Sequence, residues 1–383
     1  LCEEVTQNTV WLLFVAALLS GEIDMDAELF KKLLIAAIHK DASDIHLQVG
    51  ASPMLRVNGE LLKVKYHPLT PAETQAIVDE ILSQTIIQSS ASSISELDVA
   101  YSLEGHGRFR ANIYRQRGSY NIVLRTIPVL IKSFAELNLP PILEKISSLR
   151  RGLVLVVGAT GNGKSTTLAS MIEYINNTRR AHIITIEEPI EYLFKNDKSV
   201  ISQREVGIDT ASFSKATVAA VRQDPDVIFV GEMRDKETVD TALKAAETGH
   251  LVLSSMHTMD SINAIARLVA FYPTDQEANI RKRLSNCLVS VIALRLMPQK
   301  DHIGRIPAVE VLWVTHGVRE YICDSSKTNE IESYMEKGRD MYGMQTFDQH
   351  LLALVRAGKI DLETAKLSAN KPDEFDRSLL IEK

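Results

Sequence analysis

The sequence predicts an α/β protein of two domains, and three observations predict it. Near residue 40 the hydrophobic pattern changes from helical to alternating, after residue 150 a continuous apolar run ends in a glycine loop, and further apolar runs then alternate with helical segments. The first part reads as α+β with a mixed or antiparallel sheet, and the second as a mainly parallel sheet covered on both faces. A chain of 383 residues exceeds one typical domain. Its 45% hydrophobic and 24% charged residues are those of a packed globular protein rather than a disordered chain.

Charge and cysteine usage exclude several function classes. The 43 basic and 49 acidic residues leave a net charge of −6, which removes the electrostatic case for a general nucleic-acid binder, so no nucleic acid is expected as a partner. Cys2, Cys287 and Cys323 lie far apart and form no C-x-x-C pair, which suggests neither a disulfide framework nor a zinc site and fits a reducing cytoplasm.

Residues 10–19, "VWLLFVAALL", fall short of the about 20 apolar residues that span a bilayer. Glu3 and Glu4 stand where a secretory signal is positive, so the run reads as an amphipathic or buried helix. Met25 opens a good helical start, and residues 1–24 read as an N-terminal extension. From Asp26 to His39, Leu29, Leu33, Leu34, Ala37 and Ile38 recur at helical spacing. "SDIHLQVG" and "PMLRVNGELLKV" then alternate, with Asn58-Gly59 as a two-residue hairpin signal. "GRFRANIYRQRGSYNIVLRTIP" adds two more runs joined at Arg117-Gly118, closing an N-terminal domain over residues 25–132. "IKSFAELNLPP" carries a Ser start, a short helical stretch and a Pro-Pro stop, so residues 133–144 are expected to be a linker.

The core expected over residues 145–300 carries the chemistry. Gly158, Ala159, Thr160, Gly161, Asn162, Gly163, Lys164 and Ser165 match G-x-x-x-x-G-K-[ST], followed by Thr166, between an apolar strand and a helix. The glycines let backbone N–H groups turn inward around phosphate oxygens at a helix N-terminus. Lys164 would neutralise the β and γ phosphates, and the Ser165 hydroxyl suits Mg2+, a hard cation that keeps several waters. "DPDVIFVGEMRD" ends a strand at Glu232, where ligands bind in open α/β sheets; Glu232 could orient the attacking water or hold Mg2+ through water. "ITIEEPIEYLF" presents Glu187, Glu188 and Glu191 around Pro189, in a loop rather than a helix interior.

"TGHLVLSSMHT" sets His250 and His257 seven positions apart. That is no helical metal spacing and no cysteine is near, so zinc is disfavoured. Packing remains open for both. If the stretch is a strand beside the phosphate-loop strand, His257 lies at its C-terminal end facing the γ-phosphate.

Taken in order, "GATGNGKSTT", "ITIEEPIEYLF", "VIFVGEMRD" and "GHLVLSSMHT" resemble the Walker A, aspartate box, Walker B and histidine box of the secretion superfamily ATPases. Within that superfamily the chain is similar to the type IV pilus retraction ATPases, the PilT and PilU group. "DASDIHLQVGASPMLRVNGEL" looks like their PAS-like N-terminal domain, and "GMQTFDQHLLALVRAGKI" like their C-terminal helical region, expected over residues 301–383. The resemblance implies a RecA-like P-loop ATPase domain and a homo-hexamer using ATP with Mg2+. Glu232, Glu191 and His257 would be catalytic. Arg110 and Arg125, with Arg117 as a weaker third, would reach the phosphates from the N-terminal domain of the same or a neighbouring subunit.

It further implies an inner-membrane pilus platform protein as partner, with a paralogous retraction ATPase as a second one. The expected location is cytoplasmic, peripheral at the inner membrane. Three departures are visible. Glu188 stands where Asp is usual, Asn162 where Ser is common, and "GVREYICDS" where PilT proteins carry an AIRNLI-like motif; "MQTFDQHLLALVRAGKI" is closer to PilU. Extension motors carry a tetracysteine zinc motif that three dispersed cysteines do not supply. The alternative reading is an accessory hexamer subunit assisting another pilus motor, or a related secretion or DNA-uptake ATPase.

Overall fold

The computed structural model describes residues 25–57, 59–84, 95–127, 130–301, 304–372 and 375. The expected N-terminal extension, with its apolar run, lies outside the described residues. Two compact units follow in the chain. The first runs to residue 129 and takes in Glu191–Leu193, and the second begins at Leu130.

The first unit starts with the helix Ala27–His39, whose Asp26 cap accepts the Leu29 N–H at 2.8 Å and whose Leu29, Phe30, Leu33, Leu34 and Ala37 are buried. Six antiparallel strands follow: β1 (Asp44–Leu47), β2 (Met54–Val57), β3 (Glu60–Lys63), β4 (Glu96–Leu103), β5 (Gly107–Gln116) and β6 (Ser119–Ile127). They lie in the order β3-β2-β1-β6-β5-β4. The sequence reading missed β4, in which Val99, Tyr101 and Leu103 alternate as buried residues. The β5–β6 hairpin closes as expected at Arg117 (φ 51°) and Gly118 (φ 82°), the double positive φ of a type I′ turn. Between β3 and β4, the helix Pro71–Ser83 starts at a Thr70/Glu73 capping box. Burial pushes the Glu73 carboxyl up, but hydrogen bonds from Thr70, Met25 and Tyr66 win and hold it at about 2.

The second unit is built on a seven-stranded sheet in the order β13-β12-β7-β11-β10-β8-β9. Its strands are β7 (Gly152–Val157), β8 (His182–Glu187), β9 (Val200–Glu205), β10 (Val227–Val230), β11 (Leu251–Met256), β12 (Leu288–Pro298) and β13 (Arg305–Trp313). All neighbours are parallel except β12 and β13. The continuous apolar runs of β7 and β10 follow from burial on both faces, because helices cover the sheet on either side.

Two expectations change here. Residues 131–141 form a turn rather than a helix. Ser133 and Glu136 do exchange the reciprocal bonds of a capping box. Asn138 then turns to φ 53° and Pro140 requires an extended residue before it, so no second helical turn follows. The segment expected as linker is also packed: Phe134, Leu139 and Leu143 join the core between the sheet and the helix Lys164–Thr178. Secondly, the region expected to be helical from residue 301 opens with β13, whose zipper to β12 runs from Ser290↔Trp313 to Pro298↔Arg305. Helices follow from His316, and His350 in the helix Phe347–Arg356 accepts the Val309 N–H at 2.9 Å. Burial pulls the His350 ring down to about 4, so it stays neutral there.

Beside Val309, Glu310 is 2% exposed and accepts both the N–H and the hydroxyl of Ser261 (2.9 and 2.6 Å). Burial outweighs those bonds and pushes its carboxyl up to about 7. The folded chain therefore holds this proton more tightly than the unfolded chain, and the stability that confers is lost as pH rises from about 4.5 to about 7. Glu310→Gln keeps an acceptor for Ser261 and cannot ionise. It is expected to be more stable than the parent by about 3 kcal/mol at pH 8, with the gap narrowing to about 1 kcal/mol at pH 5 in chemical denaturation. A gap that does not vary with pH would mean the carboxyl holds one charge state throughout.

Candidate active site

The phosphate loop takes its shape from where β7 ends. Gly158 leaves the sheet at φ 152°, and a Cβ there would sit 2.7 Å from the Leu294 carbonyl oxygen, so only glycine passes β12 this closely. Gly163, at φ 86°, caps the helix Lys164–Thr178 without a side chain, leaving its N-terminus open to an anion. Lys164 is 9% exposed. Its ammonium donates to the Gly158 and Ala159 carbonyls (2.9 and 3.1 Å) and faces His257 Nδ1 at 3.4 Å. Thr160 Oγ1 is 3.5 Å from the same ring nitrogen.

Parallel register delivers the other groups to the same edge. β11 aligns Met256 with Val157, and β10 aligns Val230 with Ser254 and with Ile186, so the residues that follow emerge together. Two serines of "LVLSSM" lock the β10 end: Ser254 and Ser255 donate to the Val230 and Gly231 carbonyls at 2.6 and 2.7 Å. Glu232 follows directly, 17% exposed, with His257 Nε2 3.4 Å from Oε1 and Arg234 Nη2 2.9 Å from Oε2. Arg234 Nη1 reaches Glu188 Oε2 at 3.0 Å. The hydrogen bond to Glu232 holds the guanidinium above its ordinary pKa. Lys164, His257, Glu232, Arg234 and Glu188 thus form one chain of contacts across all four sequence motifs.

The two histidines lie at opposite ends of β11. His250 Nδ1 sits 2.9 Å from the Ala245 carbonyl and 3.2 Å from Thr248 Oγ1, closing the end of the helix Lys236–Glu247, away from the phosphate loop. In the acidic loop, Glu187 is buried and accepts the Thr185 hydroxyl at 2.7 Å, while Glu205 accepts the Ile190 N–H at 3.1 Å across a cis Glu188-Pro189 bond. Glu191 is exposed and groups with the first unit. In that unit Arg110 and Arg125 are directly paired across β5 and β6, with Arg110 3.4 Å from Asp98 and Arg125 3.0 Å from Asp44. Ser165 is half-buried in the first turn of its helix, beside the N-terminus that favours an anion. Arg234 was not singled out in the sequence. A cation two residues after a strand-end carboxylate, facing a second acidic motif, was the available signal.

A family model described as "Type II/IV secretion system protein" matches residues 23–373. The Pseudomonas aeruginosa protein named "Type IV pilus retractation ATPase PilT" is 40% identical over 344 residues, covering 90% of this chain and 99% of that one. Its compatriot "Type IV pilus ATPase PilU" is 39% identical over 346 residues, 90% of each. The solved structure "Crystal Structure of the Pilus Retraction Motor PilT and Bound ADP" superposes with a TM-score of 0.81 at 40% identity, covering 93% of this chain and 100% of the other.

The unequal placement of the histidines generates a test. His257→Ala is expected to lower the turnover number for nucleotide hydrolysis by about a hundredfold, the scale of a group acting on the reacting centre. His250→Ala should stay within about threefold, because it removes only a helix-end hydrogen bond. Steady-state phosphate release measures both, and equal losses would contradict the geometry of β11.

Proposed function

The chain belongs to the Type II/IV secretion system protein family, and from that premise we propose that it is a hexameric motor whose ATP hydrolysis drives retraction of a type IV pilus. It is an ATP-hydrolysing P-loop enzyme. The observation that carries the reading is the meeting of Lys164, His257 and Glu232 at one sheet edge.

ATP phosphates lie along the loop from Gly158 to Thr166, with the Lys164 ammonium turned to their charge. Glu232 aligns the attacking water and receives its proton. Its two oxygens are fixed from opposite sides by Arg234 and His257, so the carboxylate needs little rearrangement at the moment of reaction. Glu191 is the second carboxylate that this reading assigns to the task. Arg110 and Arg125 are supplied from the N-terminal unit of the same or a neighbouring subunit, which couples hydrolysis to domain closure. Ser165, with Glu232 through water, would offer the hard oxygen donors that Mg2+ prefers, and a cation bound there with ATP would neutralise phosphate charge.

The partner that turns this closure into pilus movement is an inner-membrane platform protein, so the working place is the cytoplasmic face of the inner membrane. No helix among the described residues is long and apolar enough to cross a membrane. A second reading, an accessory subunit working beside a paralogous retraction ATPase, draws on the near-equal identities to PilT and PilU. It draws also on the stretch "GVREYICDS", most of which lies in the helix His316–Cys323 with Val318 and Ile322 buried.

Lys164→Ala is expected to reduce ATP hydrolysis at least about a hundredfold by removing charge aimed at the transferring phosphoryl group. In the source cell, loss of the gene should leave pili extended and abolish twitching. Abundant pili with intact twitching would support the accessory reading, and hydrolysis by Lys164→Ala at the parent rate would overturn the enzyme assignment itself.

A further inference from the structure

Asn162 stands in the middle of the phosphate loop, and its side chain faces protein. Nδ2 donates to the Leu294 carbonyl at 3.1 Å, and the Leu296 N–H donates to Oδ1 at 3.4 Å. These two β12 groups face the β7 side just beyond Val157↔Ala293, the last pair of the parallel ladder. The carboxamide therefore replaces one residue of a strand and continues the ladder from inside the loop. Gly158 is seated on the same Leu294 carbonyl, so the start and the middle of the loop share one anchor.

The residue between the two clasped positions is Arg295. Its guanidinium donates to the Ser368 carbonyl at 2.6 Å and to Asn370 Oδ1 at 2.7 Å, and lies 3.9 Å over the Phe347 ring. Asp348, next to Phe347, accepts the N–H groups of Asn370 and Lys371 at 2.7 and 3.0 Å. Arg295 is thus held on three sides by the C-terminal helices, while the backbone on either side of it holds the phosphate loop.

We propose that Leu294–Arg295–Leu296 is a bracket through which the C-terminal helices set the geometry of the phosphate loop, which makes Asn162 and Arg295 positioning residues for ATP binding and hydrolysis. Neither side chain needs to touch the substrate. The clasp fixes how far the loop stands from β12, and hence where Gly161, Gly163 and Lys164 present their donors. Anything that shifts Ser368 or Asn370 then reaches the nucleotide site through a single strand segment. The proposal concerns the ATPase site alone, so its readout, nucleotide affinity, fails or succeeds independently of the pilus assignment.

The test compares Asn162→Ala, Arg295→Met, Asn370→Ala and the double variant Asn162→Ala/Arg295→Met in the full-length chain. ADP affinity, KM and kcat for ATP are measured well below each variant's melting temperature. Asn162→Ala should weaken ADP binding and raise KM by about 3- to 10-fold, the scale of one or two lost hydrogen bonds, with a smaller change in kcat. Arg295→Met should move the same constants in the same direction. Arg295→Lys, which keeps the charge but not the fork, should restore only part of the loss. Asn370→Ala, a surface change that leaves the guanidinium in place, keeps the test available should Arg295→Met fail to fold, and should give a smaller shift of the same sign. The double variant should lose less than the product of the two single losses, because both side chains act on the loop through the same Leu294–Leu296 segment. Parent-like affinity in Asn162→Ala, or in both Arg295→Met and Asn370→Ala, overturns the proposal. Multiplying losses in the double variant overturn the shared bracket.

Discussion

Four strands of the second unit, β7, β11, β10 and β8, run parallel with their ends in register, so the loops that follow must leave the sheet at one edge. Everything chemical in that unit depends on this alignment. Phosphate loop, histidine, Walker B carboxylate and acidic loop are separated by tens of residues in sequence, and only the common edge brings them within hydrogen-bond reach of one another. The alignment is set by apolar burial. Leu153, Val154, Leu155, Val156 and Val157 are all fully buried, each contributing about 1.5–3 kcal/mol. The polar contacts at the edge are weaker: Arg234 is 58% and Glu188 44% exposed, and pairs of that kind are worth about 1 kcal/mol or less. Hydrophobic burial decides where the strands end, and the ion pairs decide how the groups at those ends point.

This division explains the small residues in the sheet. Ser254 and Ser255 are buried in a strand otherwise made of Leu, Val and Met, where a hydroxyl without a partner would be costly. Each is satisfied by a carbonyl at the end of β10, so a polar side chain fixes the departure point of Glu232. Asn162 does the same for the phosphate loop by way of β12. In both cases a side chain substitutes for backbone pairing where a regular ladder stops, which is where an active site needs order without a further strand.

Much of this was legible in the sequence because it is local. The glycine loop between strand and helix, the Arg117-Gly118 turn and the alternation of buried strands are all set within a dozen residues. The unequal placement of His250 and His257 follows from one inference, that "LVLSSM" is a strand next to β7. The parts that escaped are long-range. β13 was absorbed into a helical region because a nine-residue strand at the edge of a sheet carries no signal of its partner, β12. Arg295 reads as a strand arginine until the chain returns to it 73 residues later at Ser368. The short helix expected before the core failed for a local reason, since Asn138 and Pro140 override a correct cap.

Glu188 owes its contact with the site to its length. Measured against aspartate at the same point of the acidic loop, glutamate adds one methylene, about 1.5 Å of reach. In this chain the 3.0 Å contact between Glu188 Oε2 and Arg234 Nη1 uses that reach, while Arg234 Nη2 is committed to Glu232 at 2.9 Å. An aspartate on the same backbone would leave the guanidinium bound to Glu232 alone. The fork of Arg234 matters more than its charge, because a lysine ammonium at the same place has no fixed plane with which to hold two carboxylates at once. Exposure keeps the stabilising energy of the pair small, so its consequence is orientation: the acidic loop and the Walker B strand end are tied together through one planar group. The longer carboxylate therefore changes what is linked to the carboxylate of Glu232, without changing the charge of the site.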